Sequence, residues 1–158
     1  VDLSFGAVER AARQFKPLRH RLQRLGEVGG VAFINDSKAT NLSAMAAALG
    51  ACGRNIHLIA GGLLKESEYT FVKEILAERV RTLYVIGQAS QVMFEAWNEV
   101  GPCVECGTLE GAFSRAVKAA RAGDTILLSP GCASFDQFTG YPHRGEVFRS
   151  AVNNLAGS

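Results

Sequence analysis

From residue 22 onward, short apolar runs alternate with segments of helical periodicity, and that alternation leaves few folds open. The runs are LQRLGEV (22–28), VAFIN (31–35), IHLIAGG (56–62), TLYVIG (82–87), PCVEC (102–106) and TILLSP (125–130). Between them the spacing predicts helices over 41–52, 67–80, 88–99, 110–122 and 143–156. In the fourth of these, Ala112, Phe113, Ala116, Val117 and Ala120 fall on one face and Gly123 supplies a C-terminal stop. Parallel strands need a crossover connection, and strand and helix alternating at this spacing supply one each time. The expected fold is a three-layer α/β sheet. Gly29-Gly30 reads as the turn of a hairpin, because paired glycines reach positive φ, and it adds one antiparallel strand at the sheet edge.

A chain of 158 residues with 47% hydrophobic content can bury one core without disulfides or metal. Its net charge of +2 comes from 17 basic and 15 acidic side chains spread along the sequence. No block of charge therefore suggests a nucleic-acid or membrane partner, and a small anionic ligand stays open. No apolar run approaches the roughly 20 residues of a bilayer span, and the start, VDLSFGAVERAARQF, lacks the apolar centre of a signal peptide. A soluble cytoplasmic protein is expected. Cys103 and Cys106 form a CxxC, but His20, His57 and His143 are isolated from one another, so no metal site is expected. Residues 1–19 stand apart. SFGAVERAARQFKPLRHR reads as an amphipathic helix stopped at Pro17 and as the end of a preceding domain, with the main domain over 20–158.

In open α/β sheets, ligands bind outside the carboxyl ends of the strands. Three of the loops there are chemically loaded: NDSKATN (35–41), GGLLKESE (61–68) and SPGCASFDQF (129–138). In the first, Asp36 and Lys38 bring opposite charges to a helix start, and Thr40 or Asn41 is placed to cap it. Capping and turn chemistry accounts for Ser, Thr, Asn and Asp in this loop. It does not account for Lys38, which opposes the helix dipole and calls for an anion beside it. In the second loop, Gly61 and Gly62 let backbone approach a ligand, with Lys65 three residues on. In the third, Ser134 is a candidate donor to a ligand carboxylate. Cys132 has no histidine beside it and is the weaker candidate for chemistry. The chain contains neither GxxxxGK[ST] nor GxGxxG, so it reads as the substrate side of a nucleotide enzyme and not as a complete one.

NDSKATN, preceded by His20-Arg21 and followed by the Gly61-Gly62 loop with Lys65 and by LSPGCASFDQF (128–138), closely resembles the C-terminal domain of the D-glutamate-adding Mur ligases. The resemblance covers roughly residues 16 to 156, and the SKATN string is specific to that branch. It implies a dinucleotide-binding-like (Rossmann-like) domain that follows a UDP-sugar domain and a central ATPase, with residues 1–19 as the end of the latter and the linker. It implies an ATP-dependent acid–amino-acid ligase of peptidoglycan precursor synthesis, and so of cell-wall biogenesis, shape and division, acting in the bacterial cytoplasm as a monomer. The carboxylate of UDP-N-acetylmuramoyl-L-alanine takes the γ-phosphate of ATP, with Mg2+, and the amine of D-glutamate then displaces phosphate from the acyl phosphate. By resemblance, Lys38 is catalytic. Lys38 and Thr40 lie by the D-glutamate and the reacting phosphate, Lys65, Ser134 and Phe135 hold its carboxylates, and Tyr141 adds a contact. His20, Arg21 and Asp36 face the nucleotide, with Arg21 and Asp36 ahead of His20 as contacts to ribose and phosphates. ATP and Mg2+ are held mainly by the central domain, so this chain alone is expected to be inactive. Leu64 stands where the family commonly carries aspartate, a departure that touches whatever that carboxylate mediates. Two other readings remain open: a related ligase using L-glutamate, and a non-catalytic binding module derived from this domain.

Overall fold

The structure, a computed structural model, describes residues 18–63, 65 and 68–157. The helix expected ahead of Pro17 and the departure at Leu64 lie outside the described residues. In chain order the elements are β1 (Gln23–Val28), β2 (Val31–Asn35), α1 (Leu42–Ala51), β3 (Ile56–Gly61), α2 (Lys73–Arg79), β4 (Val80–Ile86), α3 (Ser90–Trp97), β5 (Cys103–Gly107), α4 (Leu109–Ala119), β6 (Thr125–Leu128) and α5 (Tyr141–Ala156). The six strands form one sheet in the order β1-β2-β6-β3-β4-β5, parallel except for the β1–β2 hairpin at its edge. Gly29 and Gly30, at φ 59° and 78°, make the hairpin turn in the left-handed region that L side chains avoid.

The alternation of side chains along each strand builds the two outer layers. Leu58, Ala60, Leu83, Val85 and Leu127 face one side and pack under α1, α2 and α3 through Leu42, Met45, Leu49, Leu76, Met93 and Trp97. Ile59, Tyr84, Ile86, Ile126 and Leu128 face the other and pack under α4 and α5 through Ala112, Ala116, Phe148 and Val152. Each fully buried aliphatic side chain contributes about 1.5–3 kcal/mol relative to exposure. The chain moves outward from β2 through β3 and β4 to β5 with helices on the first face. It then returns through α4 on the second face to insert β6 between β2 and β3. Right-handed crossovers require this change of face when the direction of travel reverses. The reversal leaves a crevice at the carboxyl ends of β2, β6 and β3.

The same two faces separate the CxxC. Cys103 packs with the first core cluster and Cys106 with the second, so the two thiols do not converge. Burial pushes the Cys103 thiol up to about 11, with Glu105 and Cys106 adding to the effect. No group of three or more His, Cys, Asp or Glu suited to a metal ion occurs among the described residues. None of the helices among the described residues is long and apolar enough to cross a membrane.

Two helices differ from the sequence expectation. The segment expected as helix over 67–80 is helical only over Lys73–Arg79. The Tyr69 carbonyl, which a longer helix would give to the Lys73 amide, instead accepts from Trp97 Nε1 at 2.8 Å, and Lys73 N turns to the Thr70 carbonyl. Helix α4 ends at Ala119, not at Gly123. Ala120 is already extended, and Arg121 N donates to Asp124 Oδ2 at 2.9 Å, so a side-chain-closed turn replaces the last helical turn.

Candidate functional site

The loop after β2 is built from local hydrogen bonds that its sequence dictates. Asn41 caps α1, its side-chain oxygen accepting from Ala44 N at 2.8 Å. Asn35 Oδ1 accepts from Ser37 N at 3.1 Å and closes a turn across Asp36. Asp36 is 4% exposed, and its carboxylate accepts from Leu22 N (3.1 Å) and from Ser129 Oγ (2.8 Å). Burial pushes the Asp36 carboxyl above its usual range, against the pull of Ser129, the Leu22 amide and Arg21. The first part of this polar loop, Asn35, Asp36 and Ser37, is therefore buried at the end of β2 beside β6, while Lys38 and Thr40 are half-buried.

Arg144, on the first turn of α5, holds three loops together. It is fully buried and donates through Nε to Ser37 Oγ (3.0 Å) and through Nη2 to the carbonyls of Ser37 (2.9 Å) and Cys132 (3.0 Å). Its Nη1 reaches the Gly61 carbonyl at 3.5 Å. Ser37 Oγ in turn donates to the Tyr141 carbonyl at 2.8 Å. Burial lowers the guanidinium to about 10, opposed by Cys132 and Asp136, so it stays charged at neutral pH. A planar fork suits this array of acceptors, which an ammonium could not match. Sequence reasoning missed Arg144. The signal was an arginine on the buried stripe of α5, in line with Phe148 and Val152 at intervals of four.

Two clefts open above this framework. The first, of about 290 Å3, is lined by Arg21, Leu22, Asp36 and Lys38 and floored by alanines of α1. The second, of about 340 Å3, brings together Thr40, Lys65, Ser134 and Phe135 from three different loops and Tyr141 from the start of α5. Lys38 stands between them. It lines the first cleft, and its Nζ lies 5.7 Å from the centre of the Tyr141 ring on the wall of the second. Ser134 is 1% exposed, and its Oγ has no hydrogen-bond partner among the described residues. The hydroxyl therefore keeps both its donor and its acceptor capacity on the wall of the cleft. Phe135 is 66% exposed on the rim.

His20 is placed differently from its neighbour Arg21, which is exposed. Its ring is 5% exposed, with Nδ1 3.1 Å from Asn35 Nδ2 and Nε2 3.5 Å from Glu146 Oε1. Burial pushes its imidazole below the usual value, with Glu146 opposing. The His20 carbonyl accepts from Lys38 N at 3.0 Å, so this residue braces the Lys38 loop from beneath. The glycines of the second loop are likewise engaged by the protein itself. Gly61 N donates to the Pro130 carbonyl and Ala89 N to the Gly62 carbonyl, and a Cβ on either glycine would run into the carbonyl oxygen of Ile86 or Ala133. Cys132 is buried, and its carbonyl serves Arg144.

Comparison with known proteins places the chain in a family. The model of the glutamate ligase domain of Mur ligases matches residues 20–132, most of the chain. The chain belongs to this family. The glutamate ligase domain is 43% identical over 152 residues to the UDP-N-acetylmuramoylalanine–D-glutamate ligase of Acidobacterium capsulatum, covering 96% of this chain and 33% of that protein. To the enzyme of the same name from Nitratidesulfovibrio vulgaris it is 44% identical over 146 residues, covering 92% and 34%. The domain thus spans about a third of the length of the curated relatives it matches. Its fold recurs in a murein peptide ligase from Psychrobacter arcticus, with a TM-score of 0.64 at 14% identity over 94% of this chain and 32% of that one. It recurs also in the bifunctional folylpolyglutamate synthase/dihydrofolate synthase of Yersinia pestis, with a TM-score of 0.63 at 20% identity over 98% and 35%.

Proposed function

We propose that this domain is the amino-acid-binding third of an ATP-dependent ligase that joins D-glutamate to UDP-N-acetylmuramoyl-L-alanine in peptidoglycan precursor synthesis. The observation that carries the reading is the position of Lys38 between two clefts of different chemistry. A ligase must bring an activated phosphate and an incoming amine to one point, and a lysine at the junction can serve both. Support for the particular substrates comes from the relatives, which bear the name of the D-glutamate enzyme over nearly the whole of this chain.

In this reading the first cleft takes the ribose and phosphates of ATP. Arg21 supplies an exposed guanidinium, and the Asp36 oxygens keep lone pairs beyond their two internal bonds. By the resemblance to the Mur ligases, ATP and its divalent ion are held mainly by the central ATPase domain, and this domain closes the nucleotide site from one side. The second cleft takes D-glutamate. Lys65 and Ser134 meet its carboxylates, each charge-assisted hydrogen bond contributing about 1.5–3 kcal/mol where water is excluded. Thr40, Phe135 and Tyr141 shape the wall. The amine attacks the acyl carbon, phosphate leaves, and Lys38 stabilises the negative charge that develops on the phosphate and the tetrahedral oxygen.

The test is turnover by the full-length protein with ATP, UDP-N-acetylmuramoyl-L-alanine and either D- or L-glutamate. D-glutamate should be joined, and Lys38→Ala should lower kcat/KM about a hundredfold, as loss of one preorganised donor does. Preference for L-glutamate would reassign the substrate. Absence of turnover with intact binding would make the domain a binding module.

A further inference from the structure

The segment after β6 runs as a strap across the carboxyl ends of the other strands. Ser129 Oγ reaches Asp36 at the end of β2 (2.8 Å). The Pro130 and Ala133 carbonyls accept from Gly61 N and Leu63 N at the end of β3, each at 2.8 Å. Asp136 Oδ2 accepts from Gln88 N beyond β4 at 3.1 Å, and Gln137 Nε2 donates to the Gly107 carbonyl at the end of β5 at 2.7 Å. The amino-acid cleft lies against the middle of this strap, at Ala133, Ser134 and Phe135. Asp136 is outside it.

We propose that Asp136 is a positioning residue for amino-acid recognition: by fastening the strap to the β4 turn it sets where Ser134 and Phe135 meet the substrate. This rests on the ligase reading above.

Three observations carry it. Gln137 N and Phe138 N both donate to the Ser134 carbonyl, at 3.2 and 2.8 Å, so Ser134 and Asp136 belong to one tight turn and move together. Gly87, at φ 71°, has no room for a side chain: a Cβ there would strike Asp136 Oδ2 and come within 3.0 Å of Gly62 Cα. The carboxylate thus sits directly against the β4 turn, where the backbone of Gly87 and Gln88 leaves it no slack. Finally, Asp136 Oδ1 is buried without a partner among the described residues. The carboxylate is thus held in place by the turn around it and not by solvation of both oxygens.

The experiment is steady-state kinetics of the full-length ligase with Asp136→Ala and Asp136→Asn. The alanine variant loses the acceptor for Gln88 N, and its KM for D-glutamate should rise about tenfold, while KM for ATP and for the nucleotide sugar stays within about twofold. Asparagine keeps an acceptor at the same place and should restore KM to within about threefold of wild type. Asp136→Ser, too short to reach Gln88, carries the alanine expectation and replaces that variant if it does not fold. An unchanged KM for D-glutamate, an equal rise for all three substrates, or an asparagine variant as impaired as alanine would each overturn the proposal while wild type remains active. A wild type that joins no D-glutamate overturns the ligase reading and this proposal with it.

Discussion

The two ends of the parallel sheet bury ionisable groups to the same depth and use them in opposite ways. At the amino ends, His57 and Asp124 are 1% and 3% exposed and their polar atoms are matched within the protein. His57 Nδ1 lies 3.1 Å from Tyr84 Oη and Nε2 3.1 Å from Asp124 Oδ2, while Arg81 and the Arg121 amide complete the Asp124 carboxylate. At the carboxyl ends, Arg144 and Asp36 are buried and bonded as deeply, yet Ser134 Oγ stays unmatched on the wall of the second cleft. Buried charge by itself therefore does not mark a site here. What distinguishes the carboxyl ends is an unmatched buried hydroxyl, Ser134 Oγ, on the wall of a cleft that also gathers Thr40, Lys65 and Tyr141.

Arg144 offers the largest test of that contrast. Arg144→Ala leaves the Ser37 and Cys132 carbonyls and Ser37 Oγ without their buried donor, and the domain should lose about 4 kcal/mol in urea denaturation. Arg144→Lys should recover little of it. A loss as small as that of a surface substitution would show that the framework at the carboxyl ends is not what holds the loops.

Acid should separate the two ends next. The bonds from the Arg121 amide, His57 and Arg81 outweigh burial and hold the Asp124 carboxyl below its usual 3.8. Its stabilisation is full above that value and is lost as pH falls through the depressed folded value. Asp36 has the opposite sign. Its raised folded value means that the ionised form opposes folding, so its share of stability is lost as pH rises through that folded value. Asp124→Asn should cost about 2 kcal/mol at neutral pH and flatten the acid limb of the stability profile. Asp36→Asn should leave neutral-pH stability equal or slightly higher, since an amide can still accept from Leu22 N and donate to Ser129 Oγ. Matching pH profiles for the two variants would erase the distinction between the ends.

The smallest expected change is the most telling for Ser134. Its Oγ makes no bond among the described residues, so Ser134→Ala should move thermal stability by no more than about 0.5 kcal/mol. On the ligase function proposed above, the same variant of the full-length protein should raise KM for D-glutamate far more than KM for ATP. A marked loss of stability would mean that the hydroxyl serves the fold.

The sequence by itself determined the strands and most of the local chemistry, but not where the helices before β4 and β6 begin and end. Six apolar runs became six strands, Gly29-Gly30 became the edge turn, and Asn41, one of two candidates with Thr40, became the cap of α1, because each depends on residues within one turn or one strand of each other. The loops after β2, β3 and β6 were legible as chemically loaded for the same reason. Only the tertiary structure decided how they meet. Placing β6 between β2 and β3 brings Ser129 beside Asp36 across 93 residues and Arg144 under Ser37 across 107, and it carries Asp136 to Gln88 across 48. No periodicity encodes those pairings. They follow from strand order and from the change of helix face at β5, which the burial of both sheet faces selects as a whole and not residue by residue.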